Sequence, residues 1–460
     1  MLGENNQAIG LGSLENAAEL RVKWLAIRLK IAYHVFMAKN RIQEALAKTD
    51  LKEALLKRFI SYVQIDTQSN AAGADAGIIP STEGQKKLAR LLEAELKELG
   101  FDEVFVSEHF YVCARLNATK AKEKTPSLCF LAHMDTSDAV SGKDVQVKIS
   151  ENYDGRAIVL GSGPEGLALD PELEPQLLDC LGDSIIHTDG KTLLGADDKA
   201  GIAEIITALE YIIEKNIPHG QIELIFSPDE ETGHGMDKVP FDWIESEFCY
   251  TLDGSHLGEV EYECFNAYKS DIRFIGKAAH TGTARGKLIN ALTMAAFYIG
   301  LLPRNEGPET TDGYEGFFTA MDLSGNIEEA NLTVFIRDFE TESMQNRLKR
   351  LEIFAEATEA HFPGSKVEIQ HTEQYKNMKD ALLKKPEAMQ LVKKALDELD
   401  IEMISKPIRG GTDGSRLTEM GKPTPNIFTG GHSFHSRAEW ASLSQMIWAT
   451  ETIIHIIKNV

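Results

Sequence analysis

Residues 195–231, "GADDKAGIAEIITALEYIIEKNIPHGQIELIFSPDEE", decide the fold. From Lys199 to Asn216 the apolar residues recur at helical spacing, and the short apolar run "ELIFSPDE" after it reads as a strand. Strand patterns of the same kind occur at "VFVSEHFYVCARL", "SLCFLAHMD" and "FCYTLDG". Strands alternating with helices specify an α/β domain with a mostly parallel sheet, and sites in such sheets form beyond the carboxyl ends of the strands. The quoted stretch ends on Glu230 and Glu231 side by side. In extended chain successive side chains point to opposite sides, so the two glutamates need not do the same job.

Outward from this core the pattern changes. "STEGQKKLARLLEAELKELG" predicts a helix with a Thr82-x-x-Gln85 capping box and a terminal Gly100. After Tyr262 the order is strand, helix, strand, strand, helix, strand, which is ferredoxin-like and predicts a compact α+β unit inserted into the first domain. The expected organisation is a helical extension over 1–50, a first catalytic part over 51–261, an inserted lid over 262–375 and a second catalytic part over 376–460. Leu14 to Asp50 reads as one amphipathic helix, a docking face being the plainer account and a membrane-surface helix the sharper one.

The chain has 460 residues, more than one core usually serves. Its 71 acidic against 48 basic residues, a net charge of −23, exclude a nucleic-acid backbone or an anionic membrane as partner. Five cysteines without C-x-x-C spacing suggest neither a disulfide framework nor a thiolate metal site. With no signal-peptide pattern and no membrane-length apolar run, a cytoplasmic protein is expected.

Chemistry-bearing residues gather at strand ends: His133 and Asp135 in "HMD", Asp197 and Asp198 in "GADDKAG", Glu230 and Glu231 in "PDEE", Asp253 in "LDG". "GGHSFHSRAEW" adds His432 and His435. Histidine with carboxylate is the ligand set of zinc and similar ions. Each motif alone has a plainer account: a turn with a helix cap, an exposed acidic loop, a simple turn. "HTD" at His187 matches H-x-D as well as "HMD" does, and its plainer account is a hydrogen-bonded histidine.

Together, "TDGKTLLGADDKAGIAEI", "SPDEE", "YTLDG", "YEGF", "IRDF", "PIRGGTDGS" and "PNIFTGGHSFH" resemble the peptidase T group of the two-zinc exopeptidase family, from about Leu51 to the C-terminus. The resemblance implies an α/β catalytic domain with an inserted ferredoxin-like lid and dimerisation domain. It implies an aminopeptidase that removes the first residue of tripeptides. Two zinc ions are implied, with cobalt or manganese as alternatives: His133, Asp253 and bridging Asp197 for the first, Glu231, His435 and Asp197 for the second. Asp135 would orient His133, and Glu230 would be the general base. The resemblance further implies a cis Asp197–Asp198 peptide, His280 as the group that meets the developing oxyanion, and Arg337 and Arg409 as receptors of the peptide's carboxylate or carbonyls. Short peptides would be the partners, with a homodimer through the inserted domain. The chain departs from the family pattern at His432 and Phe434, where familiar members carry tyrosine, and at Ala438, where they carry histidine. A dipeptidase, carboxypeptidase or amide deacylase with the same metal centre is the alternative, and a binding protein on a disused scaffold the third reading; Glu230 beside a full ligand set speaks against the latter.

Overall fold

The computed structural model describes residues 38–161 and 166–460. The first part of the expected Leu14–Asp50 helix lies outside the described residues. From residue 38 a helix α1 (38–46) runs up to a break at Ala47 and Lys48, and α2 (Thr49–Val63) follows. The single helix expected through Asp50 is therefore two: Lys48 leaves helical geometry at φ −79°, ψ 68°, and α2 turns Leu51, Leu55, Phe59, Tyr62 and Val63 into the core.

Next come α3 (Ala71–Asp75), α4 (Glu83–Glu98), β1 (Glu103–Val106), β2 (Val112–Leu116) and β3 (Leu128–His133). An excursion with β4 (Lys148–Ser150), β5 (Ile158–Val159), β6 (Ala168–Leu169) and β7 (Ile185–His187) leads to α5 (Ala196–Glu214), β8 (Ile222–Ser227), β9 (Phe248–Gly254) and β10 (Val260–Glu261). A second unit follows: β11 (Asn266–Ile275), α6 (Ala291–Leu301), β12 (Phe317–Gly325), β13 (Glu329–Asp338), α7 (Thr341–His361) and β14 (Lys366–Tyr375). The chain then returns through α8 (Lys379–Lys384), α9 (Glu387–Glu398), α10 (Asp413–Glu419), β15 (Asn426–Phe428), β16 (Gly431–His432), β17 (Trp440–Ser442) and α11 (Leu443–Lys458).

The main sheet has the order β1-β2-β8-β3-β9-β15-β10, with β8, β3, β9 and β15 parallel and the edges antiparallel. Period-two geometry explains why β3 and β8 are apolar throughout. Leu128, Phe130, Ala132, Leu224 and Phe226 face the large core with α2, α5 and α11, while Cys129, Leu131 and Ile225 enter a smaller core on the other face. All five cysteines are buried and free.

The expected capping box at Thr82 does not form: the Thr82 side chain makes no cap to the helix. Gln85 is drawn instead to a buried carboxylate. Its Nε2 donates to Asp229 Oδ1 at 2.7 Å, and its Oε1 accepts the Asp229 N–H at 3.1 Å. That pairing anchors the turn just before Glu230.

The inserted unit is an antiparallel sheet of order β12-β13-β11-β14 packed by α6 and α7 around its own core, the ferredoxin-like arrangement. Its entry and exit strands lie together, Ala267 pairing with Tyr375. Two amides stitch the junction: Asn266 Nδ2 donates to Phe339 O at 2.9 Å, and the Asn377 N–H donates to Asn266 Oδ1 at 3.1 Å. Among the described residues no helix is long and apolar enough to cross a membrane.

Candidate metal centre

Parallel strands deliver their last residues to one rim, and here that rim carries the ligand-type side chains. β3 ends on His133, β9 brings Asp253, and the Asp253 N–H donates to Asn426 Oδ1 of β15 at 3.0 Å. β8 ends at Ser227, and Asp229 turns sharply in the left-handed region at φ 56°. Glu230 and Glu231 therefore sit in a 3₁₀ turn, Glu230–Thr232, rather than in the extended chain expected from the sequence. The two side chains still diverge, because successive residues of such a helix are about 120° apart.

Asp135 ties these strand ends together. Its carboxylate accepts the N–H of Glu230 at 3.0 Å and of Glu231 at 3.2 Å, and Oδ1 lies 3.4 Å from His133 Nδ1. His133 Nδ1 is hydrogen-bonded to the Asp135 backbone carbonyl at 3.1 Å, so Asp135 meets the imidazole through its main chain while its buried carboxylate anchors both glutamates, a task invisible in the spacing.

Asp197 stands at the middle. His133 Nε2 lies 2.8 Å from its Oδ1 and 3.6 Å from Asp253 Oδ1. On the other side His435 Nε2 lies 3.0 Å from Asp197 Oδ2 and 2.9 Å from Glu231 Oε2. One carboxylate oxygen faces each pair. The Asp197–Asp198 peptide is cis, as the resemblance implied. Asp198 also lies beside His133 and Asp253, but both of its oxygens accept backbone N–H groups, from His133 at 3.1 Å and Gly201 at 3.3 Å. Glu439, which sequence reasoning missed, holds the loop leading to Asp197: its buried carboxylate accepts the N–H groups of Leu194 (2.7 Å), Gly195 (2.8 Å) and Asp197 (3.2 Å).

The electrostatics follow from burying so many carboxylates against two imidazoles. Burial opposes ionisation of Asp197, but hydrogen bonds to His133 and His435 prevail and hold its pKa below the ordinary value. Hydrogen bonds to Asp197 and Glu231 raise His435 to about 11. Burial, with the Asp197 charge, lifts Glu231 to about 7. For Glu230, burial, only partly offset by the His133 charge, pushes the carboxyl well above its usual range. The donor set suits divalent cations. His133, Asp197 and Glu231 have ligand atoms all within 4.8 Å of one another, and Glu231 Oε1 is buried with no hydrogen-bond partner among the described residues.

The remaining candidates lie apart from this cluster. His280 is exposed on the loop after β11, its Nδ1 accepting the Gly282 N–H. Arg337 is buried at the end of β13. Arg409 donates to the carbonyls of Gly313 and Glu315, each at 2.8 Å, and to Thr311 Oγ1 at 2.8 Å, so its guanidinium grips a loop of the inserted unit. His187 has both ring nitrogens engaged, by Ser150 Oγ and Thr188 O. His432 is buried, stacked on Trp440 at 3.9 Å, and faces the core.

The profile of peptidase family M20/M25/M40 matches residues 187–459. Peptidase T of Clostridium perfringens is 45% identical over 403 residues, 87% of this chain and 98% of its own. The chain belongs to the M20/M25/M40 peptidase family. Within this family of metallo-exopeptidases it is of the peptidase T kind. Its fold is similar to the crystal structure of an aminopeptidase PepT from Bacillus cereus (TM-score 0.69, 22% identity, covering 88% of this chain and 98% of that one). It is also similar to that of a dinuclear metal binding M20 peptidase from Bacillus subtilis (TM-score 0.60, 13% identity, covering 89% and 98%).

Proposed function

We propose that this M20-family chain is an aminopeptidase that releases the first residue of tripeptides at a pair of zinc ions, with Glu230 as general base. The observation that carries the reading is the division of the Asp197 carboxylate, one oxygen toward His133 and Asp253, the other toward His435 and Glu231. His133, Asp253 and Asp197 would hold one ion, and Glu231, His435 and Asp197 the other. A bound ion pair supplies Lewis acidity for the scissile carbonyl and lowers the pKa of water toward neutrality.

The chain's own residues do the rest. Glu230, anchored through its N–H to Asp135, accepts the proton of the attacking water and returns it to the departing amine. Arg337 receives the peptide's terminal carboxylate, and His280 meets the carbonyl oxygen when the inserted unit, 262–375, closes over the rim. Arg409, whose donors hold the loop 311–315, couples that unit to the segment carrying Asp413. The edge of β12, unpaired among the described residues and with Met321 and Leu323 exposed, supports a homodimer through the inserted sheet.

The test is mass spectrometry of products from a tripeptide of three different residues, using zinc-loaded protein and its Glu230→Gln variant. Release of the first residue and an intact dipeptide is expected, lost in the variant while its metal content stays unchanged. Release of the third residue, or hydrolysis of N-acylated amino acids alone, overturns the substrate assignment; undiminished turnover by the variant overturns the base.

A further inference from the structure

Three arginines drawn toward the interior close on two or three carboxylates each: Arg58 on Glu95 and Glu210, Arg115 on Glu103, Glu223 and Glu245, Arg347 on Asp338 and Glu306. Arg337, only 9% exposed, closes on none among the described residues. Its Nη1 donates to the carbonyls of Tyr268 (3.2 Å) and Ile336 (3.0 Å), and the guanidinium lies over the rings of Phe335 (4.9 Å) and Tyr375 (5.6 Å). A buried guanidinium left without an anion in a chain of net charge −23 is a receptor waiting for one from outside.

Tyr375 connects this receptor to the metal rim. It closes β14, and its ring fills the space over Gly411, where an added Cβ would lie 2.7 Å from Cε1. Gly411 begins the short turn into α10, whose Asp413 carboxylate accepts from Ser227 at the end of β8. Burial pushes the phenol up to about 12 against the opposing pull of Arg337, with the Glu230 charge adding to the rise, so the hydroxyl is a neutral donor at working pH. The ring thus lies against both the Arg337 guanidinium and the Gly411 turn that leads to Asp413.

We propose that Tyr375 is a specificity-determining residue whose hydroxyl, beside the Arg337 guanidinium, receives the free C-terminal carboxylate of the peptide. Arg337 supplies charge and N–H donors, and the Tyr375 hydroxyl a further donor beside them. The inference rests on the peptidase reading above.

Steady-state kinetics on one tripeptide and its C-terminal amide, with the wild type, Tyr375→Phe and Arg337→Lys, tests it. Phenylalanine keeps the ring over Gly411, so the fold is retained. Loss of one charge-assisted hydrogen bond should raise KM for the free acid about 10-fold or more and collapse the preference for acid over amide. Equal losses on acid and amide, a fall in kcat with KM unchanged, or no change at all would each overturn the proposal. If Arg337→Lys shifts the acid preference and Tyr375→Phe does not, the tyrosine alone is excluded. If the wild type cleaves neither compound, calorimetric binding of both to the metal-loaded Glu230→Gln variant, with and without Tyr375→Phe, decides the proposal separately from the reaction.

Discussion

Replacing Glu439 should disturb the Asp197 carboxylate before it unfolds the protein. The Glu439 side chain is almost fully buried and accepts three backbone N–H groups, from Leu194, Gly195 and Asp197. In Glu439→Gln the amide oxygen can keep the Leu194 and Gly195 bonds, but the amide nitrogen then opposes the Asp197 N–H, donor against donor. One buried donor is left unpaired, a cost of about 1–3 kcal/mol. In Glu439→Ala all three are abandoned, and the same figure per group gives about 3–6 kcal/mol allowing for water entry. Because the loop so held presents Asp197 to both ligand sets, metal affinity should fall about 10- to 100-fold in the glutamine variant, the usual effect of losing a partner behind a ligand. Competition titration of zinc against a chromophoric chelator, with melting of the metal-free and loaded forms, measures both. The reasoning is refuted by a glutamine variant that binds zinc as the wild type does, or by an alanine variant that melts at the wild-type temperature.

Three further outcomes are expected. Glu204, fully buried in α5 with neither oxygen partnered among the described residues, is pushed well above the usual carboxylate range by burial alone. A raised folded pKa disfavours the fold as pH climbs above the unfolded value. Glu204→Met should therefore raise the melting temperature, and more at pH 8 than at pH 5; a drop at both would show that the carboxyl is satisfied in solution. His432 is the opposite case: burial first, then the nearby His256 charge, depress it to about 3. Its stabilising effect is fully present above the unfolded value and lost as pH falls, about 2 kcal/mol between pH 7.5 and 5. His432→Phe should flatten the acid limb of the melting curve, and parallel limbs would sink the assignment. Finally, chelation should lower the melting temperature, because zinc at a hundredfold excess over its Kd adds about 2.7 kcal/mol. An unchanged melt after verified metal removal would mean that the carboxylate cluster is stable by itself.

The sequence was most legible where one periodicity dominated. The apolar runs of β3, β8 and β9 and the helix between them specified the α/β layer, and the change of pattern after Tyr262 specified the second sheet. His133, Asp197, Glu231, Asp253 and His435 were each nameable because a strand or loop ended on them within a recognisable motif. Glu439 escaped, and the tasks of Asp198 and Gln85 were not legible, because much of their work is done on backbone N–H groups, which leave no side-chain spacing to read. Gln85 even carried the wrong signal: a residue placed for a capping box is recruited by Asp229, far along the chain. Arg409 looked like a ligand receptor by type, but only the fold reveals the loop of carbonyls that occupies its donors.

The pairing of Ala267 with Tyr375 reaches beyond the cleft. Seen from the main sheet, everything between those two residues is one loop of about a hundred residues whose ends are already joined, so the closure entropy is met by the insert's own folding rather than charged to the catalytic layer. The inserted unit is thus a cassette: its interior can lengthen or shorten without altering the register of the strands that end on His133 and Asp253.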